Sequence, residues 1–380
     1  MTEHDPLLFS PFKLRGVEAR NRVVISPMCQ YSANEGRVND WHLVQLGRYA
    51  LGGAGLVFAE ATAVSRAGRI THGDLGIWSD EHIPGLRRLA DFLRTQGAVA
   101  GIQLGHAGRK GSTQRPWHGS TPLDKDSSGK ESAWPTVSAS ALPLREDAPV
   151  PEALDAAALK SLKQAFVDAT RRALSAGFEV IELHCAHGYL LHQFLSPLSN
   201  LREDCYGGEL ASRCRYPLEV VEALRESIPG DKPLLVRISA VDALEDGWTL
   251  EDSLYFAGEL KARGVDLIDC SSGGLGGAAT ASGAPRGFGF QVPYAEAIRR
   301  QVDIPTMAVG LIVEARQAET ILRRGQADLV AIAREALNNP NWALHAEQAL
   351  RAEADFKQWP EQVGWWLANR ARTLKKLAKS

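Results

Sequence analysis

The chain has 380 residues, with 43 Lys and Arg against 45 Asp and Glu and a formal net charge of −2. That balance offers no basic field for nucleic acid or an anionic membrane surface. Hydrophobic residues make up 44%, enough to bury a large core and too many for a disordered chain.

The five cysteines, Cys29, Cys185, Cys205, Cys214 and Cys270, are odd in number and contain no Cys-x-x-Cys pair. This predicts neither a disulfide framework nor a zinc or iron–sulfur cage. The first residues are acidic and precede no long apolar run, and no window reaches the ~18 apolar residues of a membrane span. The expectation is a cytoplasmic protein acting on small molecules.

In chain order, eight short Val/Ile/Leu-rich runs fall at 22–28, 56–62, 99–106, 178–184, 234–239, 267–273, 304–310 and 329–334. They mostly lack polar alternation, which is how strands covered on both faces read. Helical patterns lie near 41–51, 81–96, 155–176, 213–228, 250–263, 293–302, 314–324 and 340–350. Gly97, Gly177, Gly264 and Gly325 punctuate them. Eight strands alternating with eight helices predict an α/β protein, a single-domain (β/α)8 TIM barrel over 1–350. A Trp-rich, basic C-terminal extension follows over 351–380, ending in a solvated helical end from Arg370. Two segments break the alternation: a long polar insertion at 107–154 after strand 3, mobile over 121–132, and a Gly-rich loop at 274–290 after strand 6. Both follow strands, so both belong on the face where such barrels place their chemistry.

The strand ends carry Ser26, Pro27, Met28 and Cys29; Glu60, Ala61 and Thr62; Gln103 and His106; His184 and His187; Arg237; Cys270, Ser271 and Ser272; Val309, Gly310 and Leu311; and Ala333 and Arg334. No lysine lies on a strand, which disfavours Schiff-base chemistry. His184 and His187 share one strand end and the carboxylates are sparse, so no metal site is expected. Small residues at 309–311 and 333, with Arg334, suit a phosphate. Gln103 suits the imide edge of a ring, and Arg237 suits charge developing on a ring carbonyl or, alternatively, a structural ion pair. No Gly-rich stretch forms a dinucleotide fingerprint. Residues three apart on a strand face opposite ways. His184 and His187 therefore converge only if the chain is already turning, and Gly188 supports that turn. Taken singly, the histidines read as core hydrogen-bonders, Tyr189 as half-buried packing and Cys29 as an inert thiol. His192 reads as structural or solvent-facing.

Longer motifs carry more. Residues 21–33 (NRVVISPMCQYSA), 60–64 (EATAV), 103–110 (QLGHAGRK), 184–197 (HCAHGYLLHQFLSP), 200–208 (NLREDCYGG) and 308–311 (AVGL) are collinear with, and resemble, the Old Yellow Enzyme family of FMN-dependent ene-reductases. The likeness is nearest the branch of xenobiotic reductases and thermophilic-like enzymes. The resemblance implies FMN as cofactor and NADPH or NADH as reductant. It implies that Ser26, Pro27, Met28 and Cys29 line the flavin, with Cys29 tuning its redox behaviour. Ala61 and Gln103 would bond the pyrimidine, Arg237 the N1–C2 region, and Gly310, Leu311, Ala333 and Arg334 the phosphate. His184 and His187 would hold a substrate oxygen, Tyr189 would supply a proton, and Tyr31 would help close the substrate pocket. The implied substrates are activated alkenes conjugated to carbonyl, nitro or maleimide groups, and the implied assembly is a homo-oligomer, dimer or tetramer. Two departures stand out. Ala333-Arg334 replaces the usual Gly-Arg. At 359–370 (WPEQVGWWLANR) Trp365 stands near the place of an arginine that in some members reaches a neighbouring subunit. Two other readings stay open at this point: a flavin-free isomerase or lyase on a phosphate-binding barrel, and a flavin-binding module without turnover.

Overall fold

The structure is a computed structural model that describes residues 5–124, 131–276, 286–351 and 356–378. Eight parallel strands close into a barrel: β1 (Val23–Ile25), β2 (Leu56–Ala63), β3 (Val99–Gly105), β4 (Val180–Cys185), β5 (Leu234–Ser239), β6 (Leu267–Ser271), β7 (Thr306–Ala308) and β8 (Leu329–Ile332). They neighbour one another in chain order, and β8 closes on β1 with Ile332 opposite Ile25. The crossovers are α1 (Asp40–Leu51), α2 (Ile83–Thr95), α3 (Ala156–Ser175), α4 (Leu210–Ser227), α5 (Leu250–Ala262), α6 (Val292–Val302), α7 (Ala315–Arg323) and α8 (Trp342–Leu350). The (β/α)8 barrel expected from the sequence is therefore the fold. The side chains of Asn39, Asp155 and Thr249 cap α1, α3 and α5, each cap worth about 1 kcal/mol. Gly97, Gly177, Gly264 and Gly325 all sit at positive φ just beyond helices, the backbone that ends a helix and that glycine adopts without strain.

Strands 1, 7 and 8 are shorter than expected. Their C-terminal residues leave the sheet and turn over its mouth, Gly310 and Leu311 at φ 112° and 51°. The 107–154 insertion contains short turns at Gly108–Lys110 and Pro116–His118, and a two-residue parallel pair, Val137–Ser138 with Glu152–Ala153. The mobile stretch expected at 121–132 and the Gly-rich loop at 274–290 fall partly outside the described residues. The C-terminal helix, α9 (Glu361–Leu377), begins well before the helical end expected at Arg370. No helix among the described residues is long and apolar enough to cross a membrane.

Alternation sorts each strand. Ile181, Leu183 and Cys185 of β4 pack outward with the helices, as do Val236 and Ile238 of β5. Inward, Val24, Leu56, Phe58, Val99, Val180, Leu235, Leu267, Met307 and Leu329 form an apolar plug at one end of the barrel. One step further along, the inward positions turn polar: Gln103, Glu182, Arg237 and Asp269. A further step reaches Ser26, His184, Ser239 and Ser271 at the mouth. β2 breaks its own parity. A bulge between Ala59 and Ala61 puts Ala61 opposite Gln103. Glu60 is thereby turned away to meet His42 Nε2 at 3.1 Å and the Gln30 N–H, and Ala61 faces inward.

Candidate active site

The turn after β4 solves the geometry of the histidine pair. His187 and Gly188 both have left-handed backbone, at φ 60° and 70°, which costs about 1 kcal/mol or more at a non-glycine residue. Side chains satisfy all four backbone polar groups of these two residues. The His187 N–H donates to Ser239 Oγ at 2.9 Å, and its carbonyl accepts from Lys110 Nζ at 2.8 Å. The Gly188 N–H donates to His192 Nδ1 at 2.8 Å, and its carbonyl accepts from Gln193 Nε2 at 2.7 Å. The result brings the His184 and His187 rings to 5.2 Å, perpendicular, with Tyr189 5.0 Å from His184.

His192 is fully buried, not solvent-facing. Because its Nδ1 accepts from Gly188, its Nε2 carries the proton and lies 3.0 Å from Asp242 Oδ1. Asp242 Oδ2 accepts from Ser196 Oγ at 2.6 Å and the Trp248 N–H at 2.8 Å. Burial works to raise the Asp242 carboxyl, but His192, Ser196 and Trp248 outweigh it and hold the carboxyl below its ordinary value. Its stabilisation is therefore present above the ordinary aspartate range and lost as pH falls through the lowered value. Asp242→Asn weakens charge-assisted bonds worth about 1.5–3 kcal/mol each. A drop of that order in unfolding free energy, read by chemical denaturation at neutral pH, is expected.

The turn opens on a cavity of about 290 Å³ at the C-terminal mouth. Every residue that the resemblance gives a site role lines it, whereas the strand-end residues Glu60, Thr62, His106 and Cys270 do not. Ser26, Pro27, Met28, Cys29 and Tyr31 come from the segment after β1, and Ala61 and Gln103 from β2 and β3. His184, His187 and Tyr189 come from β4 and its turn, and Arg237 from β5. Gly310, Leu311, Ala333 and Arg334 follow β7 and β8. On the floor, Gln103 Nε2 donates to Glu182 Oε1 at 2.8 Å, and Arg237 Nε lies 3.2 Å from Asp269 Oδ2. Arg237 thus joins a buried ion pair and faces the cavity as well.

Burial governs the chemistry of these groups. It lowers both His184 and His187 well below 6.5, with Arg237 next in effect, so both rings are neutral at ordinary pH. His184 Nδ1 accepts from the Ala186 N–H at 3.2 Å, which leaves the proton on Nε2 as a donor. His187 Nε2 lies 2.7 Å from Ser271 Oγ. Burial also raises the Tyr189 and Tyr31 phenols. It raises the Cys29 thiol too, helped by Glu60 and Asp74, so all three stay protonated at neutral pH.

Several further lining groups have no role in the resemblance, although Ser271 and Ser272 stand at a strand end. Ser271, Ser272, Arg286, Phe290 and Gln291 share the wall, and Gln291 Nε2 donates to both serines at 2.9 and 3.1 Å. Lys110 lies within the 103–110 motif but was given no role. It is buried, and its Nζ also donates to the Gly274 carbonyl at 2.8 Å. Burial, then Arg109, lowers it to about 7. Lysines are seldom buried, and this one is held by carbonyls distant in sequence.

The lining fits a flat, phosphorylated, polar-edged ligand. Gln103 and Arg237 face it from the floor, Arg286 and Arg334 stand on the walls, and the buried Ser26 Oγ has no hydrogen-bond partner among the described residues. FMN has this character. Among the described residues, no cluster of three or more His, Cys, Asp or Glu could hold a metal ion.

Comparison with known proteins gives the same direction. Residues 7–353 match the NADH:flavin oxidoreductase / NADH oxidase family. An NADPH dehydrogenase of Geobacillus sp. (strain WCH70) is 46% identical over 349 residues, 91% of this chain and 95% of that protein. A morphinone reductase structure superposes with TM-score 0.75 at 26% identity, covering 92% of this chain and 91% of its own. A 2-naphthoyl-CoA reductase structure, at TM-score 0.80 and 23% identity, shares the fold; this chain spans 53% of its length. The chain therefore belongs to the NADH:flavin oxidoreductase / NADH oxidase family, the Old Yellow Enzyme group of flavin-dependent oxidoreductases, with FMN as cofactor and NADPH or NADH as reductant.

Proposed function

We propose that this enzyme reduces the C=C bond of alkenes activated by a carbonyl, nitro or maleimide group. The observation that carries the reading is the triangle of His184, His187 and Tyr189 at 5.2 and 5.0 Å, with both imidazoles neutral and the phenol protonated. Bound FMN supplies the electrons, as hydride to the β-carbon. The protein's part is to hold the substrate oxygen on His184 and His187, whose N–H donors stabilise the negative charge that develops there. Tyr189 delivers its phenolic proton to the α-carbon, so one hydride and one proton saturate the bond. Tyr31 closes the substrate pocket.

In this reading Ser26, Pro27, Met28 and Cys29 lie along the flavin, with Cys29 tuning its redox behaviour. Ala61 and Gln103 hold its pyrimidine, Arg237 its N1–C2 edge, and Gly310, Leu311, Ala333 and Arg334 its phosphate. The barrel of 1–350 carries the activity. The extension of 351–380 serves assembly into a dimer or tetramer, a role supported by Trp365 and Trp366 on α9, which stand 60% and 68% exposed among the described residues. The location is cytoplasmic.

The test is an absorption spectrum followed by anaerobic NADPH and then a panel of enones, nitroalkenes and maleimides. A yellow protein that bleaches with NADPH and regains colour with an activated alkene is expected. Colour that bleaches but returns with none of the panel overturns the substrate class, and a colourless protein favours the flavin-free isomerase or lyase.

A further inference from the structure

The barrel interior between the cavity and the apolar plug holds more acid than base. Glu182 of β4 and Asp269 of β6 both point inward and are fully buried. Arg237 of β5 is paired opposite Asp269, with Nε 3.2 Å from Asp269 Oδ2 but misaligned for a hydrogen bond. Glu182 meets only the neutral amide of Gln103, at 2.8 Å. Its second oxygen and both oxygens of Asp269 have no hydrogen-bond partner among the described residues.

The surrounding strands supply no second cation. β3 offers Gln103, β7 offers Thr306 and Met307, and the end of β1 offers Ser26. Cys270 beside Asp269 is held as a thiol, by burial and then by Asp269. His184 and His187 above are kept neutral, and Lys110 is drawn to the His187 and Gly274 carbonyls. Two ionised carboxylates beside one guanidinium would leave a net negative charge in a buried interior, a costly arrangement. One proton on the pair removes that net charge.

We propose that Glu182 and Asp269 share a single proton at neutral pH and, through Gln103 and Arg237, set the electron affinity of the flavin bound above them. Glu182 is then a positioning residue, and the inference rests on the placement of the flavin ring over Gln103 and Arg237. The direction of titration agrees. Burial, then Asp269, pushes Glu182 up to about 8, and burial raises Asp269; the two titrate as a pair. The pair gives no proton to the ring. It exchanges one with solvent as the charge above it changes, because a more negative ring makes the second ionisation harder.

Two measurements on the full chain as purified separate this inference from the flavin reading. Infrared spectra of wild type should show a buried carboxylic-acid band that disappears as pH rises through about 8. Glu182→Gln should abolish that band, and Asp269→Asn should shift its loss to lower pH. A wild type without the band overturns the shared proton. The second measurement is the midpoint potential of the bound flavin against pH. Wild type and Glu182→Gln should coincide on the acid side of the titration. On the alkaline side the wild type should fall below the variant, because the ionised Glu182 disfavours the reduced ring. Curves that coincide or run parallel throughout overturn the coupling. Wild type alone still gives the band loss and a break in the potential–pH slope if the variants fail to fold. A colourless chain overturns the flavin reading instead.

Discussion

Replacing Tyr189 with phenylalanine is expected to slow alkene reduction by about 10²–10⁴-fold, the usual worth of a positioned general acid, while reduction of the flavin by NADPH stays nearly unchanged. Phenylalanine keeps the ring that packs edge-on against His184 at 5.0 Å and removes only the hydroxyl. That hydroxyl is loaded for its task, because burial, with Cys29 and Asp74, raises its pKa and keeps it protonated. Lys110 Nζ lies 5.1 Å from the ring centroid. As the proton leaves, the charged form of Lys110, whose pKa burial lowers to about 7, favours the phenolate left behind. Anaerobic stopped-flow measurement of the two half-reactions decides the matter. Equal loss in both would mean that Tyr189 shapes the cavity and carries no proton.

What the sequence made legible follows from how local each signal is. The barrel was legible because strands covered on both faces are continuous Val/Ile/Leu runs, and the alternation with helices leaves few other closures. The mouth residues followed from the strand ends. The inner polar layer was harder. Glu182, Arg237 and Asp269 each stand alone in an apolar run, and only closure of the barrel brings them together. The β2 bulge was not legible at all. Unbroken alternation from Leu56 and Phe58 would aim Glu60 at the cavity, and one extra residue aims Ala61 there. The histidine turn was half legible. Gly188 marked it, but its anchors come from Ser239 and Lys110, 52 and 77 residues away from His187, and a local reading has no access to them. For Arg237 the structural and functional readings both hold, since its Nε meets Asp269 while the side chain also lines the cavity.

His184→Ala is expected to weaken binding of phenolate ligands, which mimic the enolate-like charge of the reaction, and to slow the alkene half-reaction by about 10²–10³-fold, the cost of one oxyanion donor. Each histidine also carries a buried contact of the fold. His184 Nδ1 accepts from the Ala186 N–H at 3.2 Å, so Nε2–H is the donor toward the cavity, and its replacement should also lower unfolding stability by about 1 kcal/mol. In His187 the ring also meets Ser271 Oγ at 2.7 Å. His187→Ala breaks that buried contact and should lower unfolding stability by about 1 kcal/mol as well. Titration with pH adds a second check. Burial, then Arg237, holds both rings far below 6.5, so neither becomes imidazolium as pH falls through that value. Phenolate affinity should therefore only decrease on the acid side, following ionisation of the phenol itself. The measurement is the long-wavelength absorbance of the flavin–phenolate complex across pH. A rise in affinity as pH falls through 6.5 would mean that a charged imidazolium, not a neutral N–H, holds the oxygen.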